Sequence, residues 1–192
     1  MTDESTAPTA AQPSAVDSLT DPYALRDVDG VEVVESTRPV PDEKFEALRE
    51  RYDAIAGVVQ VGLTNGDGDV LLWGESAAAP PGDSVDDGDD WVAAARDAME
   101  ALTGQRVSVD RPLFLEITCF ARESDESETF PAPSVHFAAS LLDPDPAFLT
   151  DPTAADDFDH PMFDDRPVIQ WYGAVTDDVD DNHAHHVERY LD

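Results

Sequence analysis

The sequence predicts an α/β (α+β) domain built from strands and packing helices. Short apolar runs bounded by turn residues predict the strands, and segments with apolar residues every three or four positions predict the helices. The 192 residues are 41% hydrophobic, which is enough for one domain with a core. We expect this domain at residues 21–192, after a disordered acidic tail at residues 1–20 that is rich in Thr, Ser, Ala, Pro and Asp.

The first half of the chain alternates strands with one helix. The turn residues Asp29-Gly30 precede a predicted strand at Val31–Glu35, and Pro41-Asp42 opens a helix. The apolar stripe of that helix consists of Phe45, Leu48, Tyr52 and Ile55. The apolar runs Gly57–Thr64 and Val70–Trp73 flank the turn sequence N-G-D-G-D and predict a β-hairpin.

The second half contains further strands and a terminal helix. The strands are predicted at Val107–Val109, Leu113–Ala121, Val135–Leu142 and Val168–Tyr172. The polar segment Arg122–Pro133 predicts a loop between antiparallel strands. The Asp- and Pro-rich segment Asp143–Arg166 predicts a long excursion, either a lid over a pocket or disordered, which Phe148, Phe158, Met162 and Phe163 could pin to the domain. The terminal helix is predicted at Asp180–Leu191, with Val187, Tyr190 and Leu191 as its packing stripe.

The charge of the chain is extreme. It has 43 acidic and 11 basic residues, a formal net charge of −32, and Lys44 is its only lysine. Because the acids are spread over predicted strands and loops alike, the composition resembles that of proteins from salt-loving archaea, in which molar salt screens the self-repulsion. Such a surface repels nucleic acid and acidic membranes, so neither is expected as a partner. Most individual aspartates are expected to be solvated.

Cysteine content and the N-terminal sequence bear on the cellular compartment. Cys119 is the single cysteine, so neither an intramolecular disulfide nor a cysteine zinc cluster can form. Its apolar surroundings, L-F-L-E-I-T-C-F, predict a buried free thiol. The N-terminal sequence has neither a basic start nor an apolar centre, and no apolar run approaches membrane-spanning length. We therefore expect a soluble cytoplasmic protein.

The stretch Pro81–Gly104 is predicted to form a loop followed by a helix: Pro81-Gly82 indicate the loop, and Thr103-Gly104 indicate the end of the helix. It resembles the Nudix box, the signature of hydrolases that cleave a nucleoside diphosphate linked to another group. The matching positions are Pro81-Gly82, Gly88-Asp89, Trp91, Ala94-Ala95, Met99 and Thr103-Gly104. The hairpin sequence D-G-D-V-L-L-W just before the stretch resembles the hairpin that precedes the box in that family.

This resemblance implies a Nudix-type mixed sheet sandwiched between helices. It also implies magnesium or manganese as cofactor and a nucleotide-type small molecule as ligand, near the box loop at Gly82 and Gly88. The box is degenerate, however, because the family's catalytic carboxylates are missing. On the same register its first helix glutamate falls on Ala98 and its metal-binding glutamate pair on Ala101 and Leu102. Hydrolysis needs several carboxylates that converge on divalent metal.

A register shifted by one residue offers a substitute site. It aligns Arg96-Asp97 with the family's Arg-Glu and Glu100 with the first glutamate of the pair. The metal candidates are then Asp89, Asp97 and Glu100, of which Asp97 and Glu100 are also the catalytic candidates. The competing interpretation is a solvated helix face with an Arg96–Glu100 pair, in which Asp89 caps the helix.

Two groups of residues outside the box could also carry chemistry. In the Nudix family, loops after the box can carry a further catalytic carboxylate, for which the candidates here are Glu123, Glu126 and Glu128, although the composition favours a solvated loop. The terminal histidines His183, His185 and His186 suggest a metal, but near a helix start histidines more often cap or face solvent. His136 is expected to be a packed strand histidine.

Two classes of function remain open. The first is an active magnesium-dependent Nudix pyrophosphohydrolase that uses Asp89, Asp97 and Glu100. The second is a weakly active or inactive relative that binds a nucleotide or a protein as a regulatory domain. Removing one such carboxylate costs on the order of a hundredfold in rate, and losing the whole set removes the metal platform. We therefore expect the second class.

Overall fold

The computed structural model describes residues 16–191, which form one mixed sheet and its flanking helices. The strands are β1 Glu32–Val40, β2 Gly57–Thr64, β3 Val70–Trp73, β4 Gly82–Val85, β5 Val107–Arg122, β6 Asp125–Leu141 and β7 Ile169–Tyr172. The α-helices are α1 Asp42–Asp53, α2 Trp91–Thr103, α3 Pro146–Thr150 and α4 Ala184–Leu191, and a 3₁₀ helix occupies Pro22–Asp27. The predicted α/β (α+β) class is confirmed.

The sheet is mixed, as the resemblance implied. Its strand order is β1-β5-β6-β2-β3-β7, and β4 pairs with the first half of β2. The pairs β1–β5 and β2–β6 are parallel, whereas β5–β6, β2–β3, β2–β4 and β3–β7 are antiparallel. The long β5–β6 hairpin forms the middle of the sheet.

Helices cover both faces of the sheet. On one face, the buried side of α2 joins alternate residues of the strands in the main core, for example Val61 and Leu115. On the other face, Tyr52 of α1 packs against Phe120, and Tyr190 of α4 packs against Phe114. Because side chains alternate between the faces of a strand, β5 presents Leu115 to α2 and Phe114 to α4.

The prediction of a loop at Arg122–Pro133 is wrong. Only the turn at residues 123–124 separates β5 from β6, and the strands run on as one hairpin through this segment. Phe130 lies against Phe45 and Tyr52 of α1, so the hairpin end is covered by a helix. The separately predicted strands Val107–Val109 and Leu113–Ala121 are one strand, interrupted by register shifts that mark bulges.

Other predicted boundaries differ by smaller amounts. β1 extends to Val40 because its whole length pairs in parallel with β5. The box loop contributes β4, and the terminal helix begins at Ala184 rather than Asp180. Cys119 is half-buried against the main core rather than fully buried.

The predicted excursion Asp143–Arg166 contains α3 and packs on the domain. Phe148 is buried, and Phe158 and Phe163 are half-buried against the main core. Met162 does not pin the segment, because it is 65% exposed.

The predicted tail lies mostly outside the described residues, since residues 1–15 are not among them. Within the described part, Leu19 is buried. Its carbonyl accepts a hydrogen bond from the Trp91 amide at 2.8 Å, and its amide donates to Asp90 Oδ1 at 3.1 Å. The packed part of the chain therefore includes Leu19. None of the helices in residues 16–191 combines the length and apolar character needed to cross a membrane.

Candidate functional site

Helix α2, which carries the resemblance to the Nudix box, has well-defined ends. The Asp90 side chain accepts hydrogen bonds from the amides of Val92 and Ala93 at 2.9 and 3.4 Å. Gly104 ends the helix with φ 65°, a left-handed conformation that glycine adopts without strain. The N-cap is thus Asp90, whereas Asp89 is exposed in the preceding turn, so the expected cap at Asp89 is wrong by one residue.

The side of α2 that should carry the metal ligands is apolar. Ala98 and Ala101 line a hollow of about 50 Å³ together with Phe158 and His160, and Ala101 is exposed at its edge. Leu102, at the third ligand position, is 1% exposed in the main core. The residues at these positions therefore do not fit the magnesium or manganese site of the family, because they offer no oxygen ligands.

The substitute acids also lie apart. Asp97 is exposed, and Glu100 Oε1 accepts a hydrogen bond from the Val107 amide at 3.0 Å. The ion pairs of residues 16–191 do not include the expected Arg96–Glu100 pair. Within the same residues, Asp89, Asp97 and Glu100 do not form a cluster with ligand atoms close enough to share a metal ion.

The acids of the β5–β6 hairpin serve structural contacts. Glu128 pairs with Arg122 at 2.7 Å and with Arg49 of α1 at 2.8 Å, whereas Glu123 and Glu126 are exposed. The Arg122 side chain holds the pKa of the Glu128 carboxyl below its usual value. This ion-pair network ties the hairpin to α1, and it leaves Glu128 without a free carboxylate for catalysis.

A pocket of about 550 Å³ lies beside the hollow, between the end of α1, β2, β4 and the segment 158–163. Its aromatic lining includes Tyr52 and Trp73, and its polar lining includes Arg51, Gln60 and His183. Of the two box-loop glycines, Gly82 lines the pocket, whereas Gly88 sits in an exposed turn with open space around it. The box loop therefore contributes one of its two expected residues.

His160 and Trp73 separate this pocket from the hollow on α2. Both residues line both spaces, and their rings lie 5.3 Å apart between centroids. Phe163 packs edge-on against Trp73 at 5.0 Å. His160 Nε2 lies 3.7 Å from Asp83 Oδ1 on β4. The segment 158–163 therefore lines both the pocket and the hollow.

One polar atom in the pocket lacks a partner. Gln60 Oε1 is buried and accepts no hydrogen bond from any group in residues 16–191. A buried carbonyl oxygen without a donor costs about 1–3 kcal/mol. A ligand with an N–H or O–H donor would recover that free energy if the Gln60 amide turned its oxygen into the pocket, because Oε1 is shielded from solvent.

A third feature was not expected from the sequence. On the sheet face covered by α4, Glu116, His136 and His186 place one ligand atom each within 4.8 Å of one another. His136 is fully buried, as predicted for a packed strand histidine. His186 is 4% exposed, so the prediction that it caps the helix or faces solvent is wrong, whereas His185 is exposed as predicted.

The titration of this cluster reflects burial and charge. Burial lowers the pKa of His136 to about 3. The two imidazoles, first His136 and then His186, hold the pKa of the Glu116 carboxyl well below its usual range. A partial signal was present in the sequence, because His186 and Tyr190 are four residues apart and therefore share one face of α4. Nothing in the sequence indicated Glu116 as their neighbour.

Comparison with known proteins gives similarities of fold. No protein-family model matches the chain, and no curated protein matches it. An ADP-ribose pyrophosphatase from Streptococcus suis is 11% identical, over 70% of this chain and 87% of that chain, with a TM-score of 0.42. A UDP-X diphosphatase is 15% identical, over 76% and 70%, with a TM-score of 0.46. A NUDIX hydrolase from Nitrosomonas europaea is 16% identical, over 60% and 70%, with a TM-score of 0.39.

One of these three structures is described as a NUDIX hydrolase. At these identities and TM-scores the likeness concerns the fold alone. Activity and substrate have to be argued from the side chains of this chain.

Proposed function

We propose that this protein is a Nudix-type domain that binds a nucleotide-like small molecule and hydrolyses it weakly or not at all. One observation carries the proposal. The pocket beside the box loop has a volume of about 550 Å³, whereas the catalytic positions Ala98 and Ala101 carry only methyl groups and line a hollow of about 50 Å³. The chain therefore has space to bind a ligand but lacks the carboxylates that would bind the catalytic metal.

The pocket chemistry suits a nucleoside with a phosphate. Tyr52 and Trp73 offer aromatic faces for a base. Gln60 Oε1 needs a donor such as an amino group of a base, and the guanidinium of Arg51 is the residue type that best recognises phosphate. The volume lies within the range of about 300–1,000 Å³ that is usual for small-molecule sites.

Binding without efficient cleavage follows from the missing carboxylates. Diphosphate hydrolysis in the family relies on metal ions that polarise the phosphoryl group. Ala98, Ala101 and Leu102 supply no ligands for them, and Glu100 is already engaged by Val107.

The test is a ligand panel of nucleoside diphosphate sugars, dinucleotides and nucleoside triphosphates in molar KCl. We expect at least one member to raise the unfolding midpoint, since a ligand at 100 times its Kd stabilises by about 2.7 kcal/mol. Calorimetric titration should then show binding that Arg51→Ala and Tyr52→Ala weaken at least tenfold. Leu142→Ala, an exposed residue outside the pocket, is the matched control and should bind normally. If no member of the panel binds, the proposal is wrong.

The same panel distinguishes the hydrolase alternative. Product release would be followed with magnesium or manganese present, and the proposal predicts little or none. Robust turnover that is abolished by Asp97→Ala would replace it with an active pyrophosphohydrolase that uses Asp89, Asp97 and Glu100. Asp97 is the informative position because it is exposed, so its removal should leave the fold intact.

A further inference from the structure

We propose that Glu116, His136 and His186 form a binding site for a divalent transition metal, with Zn²⁺ as the best match. The site lies under α4, on the face of the sheet opposite α2. It is separate from the positions where the Nudix resemblance places metal ligands, and it does not depend on the proposed nucleotide binding.

The three side chains converge on one point. His186 Nε2 lies 3.2 Å from Glu116 Oε2, and His136 Nε2 lies 3.6 Å from the same oxygen. Zinc binds nitrogen and oxygen at about 2.0–2.2 Å in tetrahedral geometry, which separates its ligand atoms by roughly 3.3 Å. The two separations from Glu116 are therefore close to those of a bound site, and the two imidazole nitrogens, which lie within 4.8 Å of each other, would have to approach by side-chain shifts to complete it.

The outer nitrogens of both imidazoles are held in place. His136 Nδ1 lies 2.8 Å from Tyr190 Oη, and His186 Nδ1 lies 3.3 Å from His183 Nδ1. An imidazole whose Nδ1–H donates to a fixed acceptor presents the lone pair of Nε2, and such partners orient metal-binding histidines. In the tautomer of His136 with the proton on Nδ1, Tyr190 Oη is this acceptor, and Nε2 then faces Glu116 with Ser134 Oγ 3.4 Å away.

The position of Tyr190 is fixed by the sheet beneath it. A side chain at Gly62 of β2 would overlap the Tyr190 ring, so the glycine lets the ring lie directly on the strand. His186 is one helical turn before Tyr190 and is therefore held over the same strands. The close contact of α4 with β2 thus sets the distance between His186 and Glu116.

The environment of His186 also points to a ligand at this site. His186 is 4% exposed, and its Nε2 is buried and makes no aligned hydrogen bond in residues 16–191, although Glu116 Oε2 lies 3.2 Å away. A metal ion would use this nitrogen together with the two other ligand atoms. The Glu116 side chain is 22% exposed, which gives an ion a route from solvent.

The chemical types of the three ligand atoms indicate which metals the site would bind. Two imidazoles and one carboxylate suit zinc and related transition metals, whereas magnesium and calcium prefer oxygen alone. A tetrahedral ion held by three protein ligands keeps one position for water or another small ligand. The competing occupant of the cluster is a proton, shared between an imidazole and the carboxylate.

The experiment uses the full chain, stripped of metal and held in molar KCl with excess magnesium to occupy weak surface carboxylates. Cobalt is the probe, because a tetrahedral Co²⁺ site absorbs strongly in the visible region, and zinc should displace it stoichiometrically. We expect one equivalent bound, with at least tenfold weaker binding in Glu116→Gln and His186→Ala. His185→Gln, an exposed histidine on the same helix, is the matched control and should bind normally.

The result that overturns the proposal is the absence of a tetrahedral cobalt spectrum and of zinc-induced stabilisation in the wild-type chain. Equal binding by wild type and Glu116→Gln would also overturn it. If His186→Ala fails to fold, X-ray absorption of the zinc-loaded wild type decides the question, since the proposal requires two imidazoles in the first coordination shell. A shell of oxygens alone would assign the zinc to surface acids.

Discussion

The carboxylate of Glu100 on α2 accepts a 3.0 Å hydrogen bond from the backbone amide of Val107, the first residue of β5. This bond links the last turn of the helix to the start of the strand that follows Gly104. With Oε1 engaged in this bond, the Glu100 carboxylate is held toward β5 and away from Asp97, which is exposed. The shifted-register site thus competes with a contact that helps to hold the helix in position.

Glu100→Ala should destabilise the fold, whereas Asp97→Ala should not. Loss of the acceptor leaves the Val107 amide unpaired, at a cost of about 1–2 kcal/mol. Asp97 is exposed, and a substitution there should stay within about 0.5 kcal/mol. Urea unfolding of the two variants checks this, and equal effects would show that the Glu100–Val107 bond is not significant in solution.

Gly62→Ala should detach α4 from the sheet. The added methyl group would overlap the Tyr190 ring, and overpacking of this kind typically costs about 1–3 kcal/mol. Hydrogen exchange should rise in α4 and not in α2, and cobalt binding should weaken with it. Gly66→Ala, in an open turn with nothing near the added group, is the control. Unchanged exchange in α4 would contradict the structure of this contact.

The free energy of unfolding should fall at acid pH as the Asp90 carboxylate becomes protonated. Burial would raise the pKa of Asp90, but hydrogen bonds from Ser18, Leu19, Val92 and Ala93 outweigh it and hold the pKa below its usual value. The folded form therefore loses the proton more readily than the unfolded form. The resulting stabilisation is complete above about pH 4 and disappears as the pH falls through the folded-state pKa.

Asp90→Asn isolates this charge, because asparagine is an equally good N-cap. Wild type should exceed Asp90→Asn in stability by about 0.3–1 kcal/mol at pH 7, the usual size of a charge effect at a helix N-terminus. Urea midpoints measured from pH 7 to pH 3 should converge as the pH falls. A difference that stays constant over this range would show that the charge of Asp90 plays no part.

The free energy of unfolding should increase with KCl. A formal charge of −32 on 192 residues opposes the compact state. Screening lengths fall from about 10 Å at 0.1 M salt to about 3 Å at 1 M, so the urea midpoint should rise steeply over this interval and then level off. A midpoint that is flat from 0.1 to 1 M would contradict screening, and a steady rise beyond 1 M would indicate salt exclusion from the surface instead.

Apolar runs and helical stripes were sufficient to predict the fold class, because strands such as Gly57–Thr64 bury apolar residues and the predicted stripe on α1 buries Phe45, although Ile55 lies beyond the end of that helix. The hairpin at residues 122–133 was missed for a compositional reason. Its acids alternate with residues such as Phe130, and in so acidic a chain this pattern looks like solvated loop. β4 was missed because four residues that include Gly82 and Asp83 have little strand propensity.

The histidine cluster was missed for a topological reason. Glu116, His136 and His186 lie on β5, β6 and α4, and the strand register places His136 between Phe114 of β5 and Gln60 of β2. Long-range register of this kind is not encoded in local periodicity. Absence of the box carboxylates, by contrast, was visible directly in Ala98, Ala101 and Leu102.

The hollow over α2 limits what could be rebuilt by substitution. Ala98→Glu with Ala101→Glu would return two carboxylates to the helix, but the space under Phe158 and His160 is about 50 Å³. Two glutamate side chains, a hydrated cation and a diphosphate would need more room than this hollow offers, even though Ala101 is exposed at its edge. A route back to catalysis would have to displace the segment 158–163 first, and that segment is also a wall of the binding pocket. Restoring catalytic carboxylates on α2 would therefore also change the binding pocket.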